Sequence, residues 1–285
     1  MALSSVLSVA RYLALAAVVV WPVIAHAENR KPPKHAQRRY HKRVYVRGVM
    51  AHVDPRVSAR DVTVDATGIA GAAIGDGTIE DAGVTVGGTG NMPMPTAIVG
   101  YVVPGLRGRL SVETVVGAPF GLKIEATGRL RNESLAPEAA GIPTGIPPLG
   151  RELAEATIAP PMVTAVYRPL QVGRMAVFAG TGVSVLFVYD EHVTNPVLTE
   201  VAEPSLEISH AIGAVVQAGL EARVWRRMVV RVDAKYIAYR ASHATIDNIQ
   251  VRTQIPLLPT VEVGSASMDV SARPVIVQAG IGADF

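Results

Sequence analysis

The sequence predicts an all-β fold, an eight-stranded antiparallel transmembrane β-barrel of the outer-membrane type that ends at Phe285. Three observations support this prediction. About eight segments alternate apolar and polar residues, 49% of all residues are hydrophobic without a long apolar run in residues 28–285, and short connections alternate with long ones. Alternation at every second residue is typical of strands with two different faces, and an even number of such strands can close into a membrane barrel.

The first 27 residues have the features of a secretory signal. Arg11 supplies a positive charge, residues 12–24 are almost wholly apolar, and Ala25-His26-Ala27 has the small-x-small pattern of a signal-peptidase site. An uncleaved membrane anchor is the alternative, but an apolar run of about 13 residues is shorter than the ~20 that a spanning helix needs. We therefore expect a signal peptide over residues 1–27.

Basic residues are concentrated in residues 28–43, which contain seven Lys or Arg residues and a single acid, Glu28. Residues 44–285 contain 19 basic and 23 acidic residues, so the alkaline pI of about 9.3 arises at the front of the chain. Export argues against a nucleic-acid partner. We expect a solvated, disordered periplasmic segment, with contact to anionic lipid or another periplasmic polyanion as the alternative.

The composition also limits the architecture of the exported part. After the signal there is no run of about 18 uncharged apolar residues, which excludes a helical membrane protein. The chain has no cysteine. An exported protein without disulfides needs another source of stability, and a barrel closed on itself in lipid provides one.

The predicted connections define the topology over residues 44–285. Short turns follow the second, fourth and sixth strands at Pro104-Gly105-Leu106, Pro169-Leu170 and Val224-Trp225-Arg226. The four long connections are residues 54–92, 119–154, 189–207 and 242–270. Short periplasmic turns and long extracellular loops are typical of outer-membrane barrels, so both chain ends are expected on the periplasmic side.

The strand near 228–239 shows the predicted sidedness best, because Arg231, Asp233 and Lys235 alternate with apolar residues. A soluble lipocalin-like barrel would instead turn its apolar face inward. We predict that the charged face lines the lumen, where charges from several strands can pair. The predicted lumen charge network consists of Arg109, Glu113, Glu221, Arg223, Arg231, Asp233 and Lys235. We interpret it as an ion-pair network that fills the narrow barrel and blocks water flow, with a proton or ion path as the alternative.

Several short motifs, in order along the chain, resemble the OmpW family of small outer-membrane barrels. They are Val46-Arg47-Gly48 with His52-Val53-Asp54-Pro55, Gly117-Ala118-Pro119-Phe120, Ala159-Pro160-Pro161 with Tyr167, the region 214–239, and Pro274 to Phe285 with Gly280-Ile281-Gly282. The resemblance covers nearly all of the chain from Val44. The basic segment 28–43 and the dipeptide Asp284-Phe285 depart from the family pattern.

The resemblance implies passive uptake of small hydrophobic molecules through an apolar pocket at the outer end of the lumen, followed by sideways release into the bilayer. Alternation places seven residues in this lumen pocket: Val49, Val115, Phe120, Met162, Leu186, Ile237 and Tyr239. Besides these molecules, the expected partners are outer-membrane lipid and the barrel assembly machinery, which would contact the C-terminal strand ending in Phe285. The alternative is a non-transporting barrel with a structural or surface-interaction role.

Enzymatic and metal chemistry receive little support from the sequence. Ser209-His210 and Ser242-His243 occur at outer strand ends, but adjacent residues of a strand point to opposite faces and cannot form a nucleophile–base couple. The seven histidines show no metal-ligand spacing on a strand. We therefore expect no catalytic activity, no metal and no cofactor.

Overall fold

The computed structural model describes residues 43–59, 61–66, 77–79, 82–87, 93–104, 106–134, 138–139, 142–256 and 259–285. The predicted signal peptide and, apart from Arg43, the predicted basic segment lie outside the described residues. Within the described ranges no helix has both the length and the apolar character needed to cross a membrane.

Eight antiparallel strands form a closed barrel, which confirms the predicted fold class. They are β1 (Val44–Asp54), β2 (Met94–Val102), β3 (Leu110–Gly117), β4 (Met162–Val172), β5 (Met175–Val193), β6 (Ala211–Arg223), β7 (Met228–Tyr239) and β8 (Val275–Asp284). Each strand pairs with the next along the chain. The ladder from Tyr45↔Asp284 to Asp54↔Val275 joins β8 to β1 and closes the ring.

One predicted turn lies elsewhere. The β4–β5 turn is at Gly173 and Arg174, not at Pro169-Leu170, because β4 continues to Val172 through a register irregularity between Tyr167 and Leu170. Proline has no N–H to donate, so a bulge tolerates Pro169 where a regular central ladder would not. Gly173 has a φ of 57°, the left-handed conformation that suits a tight turn.

The long connections contain more regular structure than their Gly- and Pro-rich sequences suggest. Besides one short helix, Gly128–Asn132, the described residues of these connections form eleven strands: Val57–Ala59, Val62–Ala66, Gly77–Ile79, Ala82–Gly87, Phe120–Thr127, Glu138–Ala139, Ile142–Pro143, Glu152–Ala159, Ser205–Ile208, Ser242–Arg252 and Thr260–Ala272. Most of them pair with one another above the barrel. Together with the outer part of β5 they form a second ring, the upper barrel.

The two barrels have opposite sidedness. Large apolar side chains of the eight barrel strands point outward and are exposed, as a lipid-facing surface requires; they include Val46, Met50, Val99, Val112, Val163, Val183, Ile212, Val216 and Ile281. In the upper barrel the apolar side chains point inward and are buried, as in a soluble barrel; they include Ala82, Val84, Ala126, Leu153, Ile246, Val263 and Met268. The change of sidedness marks the outer boundary of the membrane-spanning part.

Inward-facing glycines allow the eight-stranded ring to close around its contents. A Cβ added at Gly282 would lie 2.0 Å from the Val46 carbonyl oxygen, and one at Gly280 would lie 2.1 Å from that of Gly48. By contrast, a Cβ at the outward-facing Gly48 would meet its nearest atom at 3.9 Å.

These contacts predict that Gly282→Ala and Gly48→Ala have different effects on stability. Gly282→Ala forces side chain and backbone apart inside the lumen and should lower the free energy of unfolding by about 1–3 kcal/mol. Gly48→Ala should be neutral or stabilise by up to about 1 kcal/mol, because it restricts the unfolded chain without a clash. Urea unfolding of both variants, refolded in the same detergent, measures the difference. Equal effects would contradict the assignment of inner and outer faces.

Candidate functional site: the closed lumen and the apolar chamber above it

A buried ion-pair network, the charge layer, crosses the lumen at Glu113, Arg168, Glu221, Arg231, Asp233 and Lys235. Arg231 of β7 is at its centre and is completely buried. Its two terminal nitrogens donate to the Glu113 carboxylate of β3 at 2.7 and 2.9 Å, and its Nε donates to Asp233 at 2.7 Å. This bidentate geometry matches the planar guanidinium group and fixes its orientation. The guanidinium also lies 4.2 Å from the ring centre of Phe178.

Arg168 of β4 is the second buried guanidinium of the charge layer. Its Nε donates to Glu221 of β6 at 3.0 Å, and another nitrogen donates to Ser111 Oγ at 2.8 Å. The Tyr45 hydroxyl of β1 donates to Glu113 and also contacts Ser111 at 2.9 Å. Arg168 is not among the predicted network residues, because a turn was expected at Pro169-Leu170. Its parity with Met162, Thr164 and Val166 on the same strand is the signal that identifies it.

The charge layer is balanced. Its three cations, Arg168, Arg231 and Lys235, face three carboxylates, those of Glu113, Glu221 and Asp233. Lys235 pairs with Asp233, which places that carboxylate between two cations. Paired charges tolerate burial that single charges do not, so this arrangement can occupy a lumen without water.

Two residues of the predicted network lie outside the charge layer. Arg109 is only partly buried at the start of β3 and makes no ion pair with any residue that the structure describes. Arg223 lies closer to the periplasmic end, where it contacts Asp284 at 2.8 Å. Asp284 also binds the buried Arg47 at 2.6 Å, so one carboxylate links β1, β6 and β8 at the last rungs of the barrel.

Above the charge layer, apolar side chains fill the lumen. This apolar layer consists of Val49, Ile98, Val115, Met162, Val215 and Ile237, all buried. Four of the seven residues predicted for the lumen pocket, Val49, Val115, Met162 and Ile237, therefore form packed core rather than pocket wall. Tyr239 lies just above them and shares a hydrogen bond of 2.8 Å with Ser184.

The cavity itself lies higher than predicted, inside the upper barrel. This chamber has a volume of about 90 Å³, and every atom exposed in its wall is apolar. Leu186 and Tyr239 of the predicted set line it, and Phe120 packs beside it against Ala156, Ile158 and Val188. Further wall residues come from the long connections: Val57, Val84, Leu122, Ala156, Leu206, Ile208, Ile246 and Met268. These residues are absent from the predicted set because the Gly- and Pro-rich sequence of the long connections predicts loops there.

The top of the upper barrel is closed by a hydrophobic cap. Ile146 and Leu149 of one connection and Leu198 of another are buried in the same cluster as the upper-barrel core. The fully buried Asn195 holds the two segments together. Its Nδ2 donates to the carbonyls of Leu149 (2.8 Å) and Glu152 (2.6 Å), and its Oδ1 accepts the N–H groups of residues 197 and 198.

The serine–histidine pairs make contacts of other kinds. Ser242 donates to the Ser209 carbonyl, and His210 Nδ1 accepts the Val188 N–H at 3.3 Å. His243 faces Asp269 at 3.2 Å on the outer surface. No serine hydroxyl is among these histidine contacts.

Comparison with known proteins agrees with this architecture. The profile of the OmpW family matches residues 42–285. The chain belongs to the OmpW family. OmpW-family membership and the closed eight-stranded barrel place it in the outer membrane of a Gram-negative bacterium.

Two solved structures show the same fold as this OmpW-family chain. The crystal structure of the outer membrane protein OprG from Pseudomonas aeruginosa aligns with a TM-score of 0.61 and 18% identity, over 86% of this chain and 96% of OprG. The solid-state NMR structure of the outer membrane protein AlkL in lipid bilayers aligns with a TM-score of 0.50 and 20% identity, over 90% of this chain and 96% of AlkL. No curated protein sequence matches significantly.

The charge layer predicts that Asp233→Ala is severely destabilising. The substitution removes the carboxylate from Lys235 and one of three from Arg231, and loss of one partner of a buried pair costs about 3–5 kcal/mol. Val230→Ala on the lipid-facing side of the same strand should cost far less, since it only trims contact with lipid. Both are compared by urea unfolding in one detergent. A stable Asp233→Ala beside a badly destabilised Val230→Ala would show that the two faces are reversed.

Proposed function

We propose that this OmpW-family barrel is a channel for passive uptake of small hydrophobic molecules, with the apolar chamber as the binding site. The observation that carries the proposal is the position of the chamber, an apolar cavity directly above a lumen closed by apolar and charged layers. An apolar wall without exposed polar atoms favours a ligand that brings no hydrogen-bonding groups, because burial of unpaired polar groups is costly.

The closed lumen excludes passage straight through to the periplasm. An apolar molecule that crossed the charge layer would have to separate Arg231 from Glu113 and Asp233, and breaking such buried pairs costs several kcal/mol. The bilayer around the membrane-spanning barrel just below the chamber is a far better solvent for it. The proposed route therefore leaves the chamber sideways into the lipid.

The wall of the upper barrel has a seam that suits this exit. β5 and β6 pair as far as Leu186↔Ala211. Beyond that point the described residues form no backbone ladder between β5 and Ser205–Ile208. Instead, side chains satisfy the backbone donors, since the Val188 N–H binds His210 and the Ile208 N–H binds Glu191 Oε1 at 3.5 Å.

The surroundings of the seam are apolar on both sides. Leu186, Val188 and Ile208 line the chamber beside it, and Phe187 and Tyr189 of β5 are exposed on the outer surface. Side-chain hydrogen bonds separate more readily than a continuous ladder because neighbouring rungs do not support them. The seam begins at the outer boundary of the membrane-spanning part, so its opening would release a ligand at the surface of the outer leaflet. Access from the cell exterior requires movement of the cap that Asn195 holds.

A non-transporting structural barrel is the second candidate function. The observation that favours it is that packed apolar residues lie on both sides of the chamber, in the cap above and in the apolar layer below. In this role the upper barrel would serve as a rigid extracellular surface and the chamber would be a packing defect. Neither role involves catalysis.

The methyl groups of two methionines can show whether a ligand occupies the chamber. Met268 lines the chamber, whereas Met50 is exposed on the lipid-facing surface. With methyl-¹³C methionine and the protein in lipid nanodiscs, toluene should shift the Met268 signal saturably and the Met50 signal only in proportion to toluene dissolved in the lipid. Trp225 cannot serve as the reporter because it lies at the β6–β7 turn, away from the chamber.

Two alanine-to-phenylalanine variants provide the matched control. Ala156→Phe fills the chamber and should abolish both the saturable Met268 shift and the toluene uptake of cells that produce the protein. Ala214→Phe places the same ring on the lipid-facing side of β6 and should leave both unchanged. A Met268 response that matches that of Met50, or uptake unaffected by Ala156→Phe in a folded protein, would contradict transport and favour the structural role.

A further inference from the structure

A polar pocket of about 510 Å³ opens on the outside of the upper barrel, and Met268 contributes to both this pocket and the chamber. Two arginines, one histidine, two aspartates and four hydroxyl side chains line most of it: Arg56, Ser58, Asp61, Thr63, His243, Ser267, Asp269, Ser271 and Arg273. The proposed uptake of apolar molecules makes no use of these groups.

The pocket begins at the outer rim of the membrane-spanning barrel. Arg56 lies two residues beyond the end of β1, and Arg273 lies two residues before the start of β8. Below them, Met50 of β1 and Ile281 of β8 are exposed on the lipid-facing surface. The two arginines therefore lie at the level of lipid headgroups, where the apolar belt ends and the polar upper barrel begins.

The polar side chains form successive rungs that rise from this rim. The Arg273 N–H donates to the Arg56 carbonyl at 3.2 Å, which makes the two arginines neighbours across adjacent strands. Ser58 and Ser271 are paired in register above them, and Thr63 and Ser267 are paired higher still.

His243 and Asp269 are register partners on the adjoining strands. The pocket is thus basic at the membrane and rich in hydroxyl and carboxylate groups above it.

Two guanidinium groups meet at the membrane end of the pocket. Arg56 pairs with Asp54 at 2.8 Å, whereas Arg273 makes no ion pair with a residue in the described part of the chain. Like charges on directly opposite residues destabilise a strand pair. Arg56 also has a φ of 42°, a conformation that non-glycine residues rarely adopt and that is often found at functional sites. An anion between the two guanidinium groups would offset their repulsion.

We propose that this pocket binds the phosphorylated sugar headgroup of the glycolipid that forms the outer leaflet of the membrane. A phosphate group lies between Arg56 and Arg273, and the attached sugar extends upward along the serine and threonine rungs. Asp61 and Asp269 lie between the Ser58–Ser271 rung and the Thr63–Ser267 rung, where they accept hydrogen bonds from sugar hydroxyls. The position at the headgroup level favours a membrane lipid over a free phosphate ion.

Native mass spectrometry of the full-length protein in detergent, titrated with lipid A, tests this site. The parent should retain one lipid A molecule and bind dephosphorylated lipid A at least about tenfold more weakly, because the latter lacks the charge-assisted hydrogen bonds to the two guanidinium groups. Arg273→Ala should weaken lipid A binding by a similar factor. Arg273→Lys should give an intermediate affinity, because lysine keeps the positive charge but cannot make bidentate hydrogen bonds to the phosphate.

Arg252→Ala is the matched control, an exposed arginine on the neighbouring strand that pairs with Glu200 outside the pocket. Its affinity for lipid A should equal that of the parent. Equal binding of phosphorylated and dephosphorylated lipid A, or equal losses in Arg273→Ala and Arg252→Ala, would overturn the proposal. Displacement of lipid A by millimolar inorganic phosphate would show that the site takes the free ion instead. Circular dichroism verifies that each variant is folded.

Discussion

The pairing of Arg231 with Glu113 and Asp233 is the interaction on which the rest of the lumen depends. An eight-stranded barrel is too narrow for a water-filled channel, so its contents must pack and must satisfy every charge. Arg231 links β7 to β3 through Glu113, while Glu221 connects it to Arg168 of β4. Inward-facing glycines make room for lumen side chains, since a Cβ at Gly219 would meet Phe178 and Asp233 and one at Gly282 would meet Arg47. The result is a neutral cross-section that closes the barrel without leaving a charge unpaired.

The change of sidedness above this layer gives the chain two environments. The membrane-spanning barrel faces lipid, and the upper barrel faces water. Below the rim, apolar side chains face lipid and polar ones face inward; above it, the same alternation is reversed. β5 runs from one barrel into the other, and the apolar interior of the upper barrel rests directly on the apolar layer of Val49, Val115 and Ile237. The chamber arises where the packing of these two interiors is incomplete. Its location follows from the architecture and needs no special residue.

The sequence predicts the membrane barrel well and the upper barrel poorly, for physical reasons. Lipid-facing strands such as β7 need unbroken alternation, and this signal identifies their inner faces residue by residue. Arg168 was not assigned to the lumen because the following Pro169 also indicates a turn. The upper strands have register shifts, such as those between Glu155 and Thr157 and between Ile246 and Ile249, which interrupt alternation and make the segments resemble loops. The chamber walls that the long connections supply were consequently not predicted.

Cysteine labelling tests the central claim, that the lumen is closed to water between the chamber and the periplasm. The chain has no cysteine, so single substitutions report without background. In proteoliposomes, Val215→Cys in the apolar layer should resist a membrane-impermeant maleimide from both sides, because Val215 is completely buried. Arg226→Cys in the exposed β6–β7 turn should react rapidly from the periplasmic side. Labelling of Val215→Cys at a rate close to that of Arg226→Cys would reveal a water-filled lumen and contradict the account.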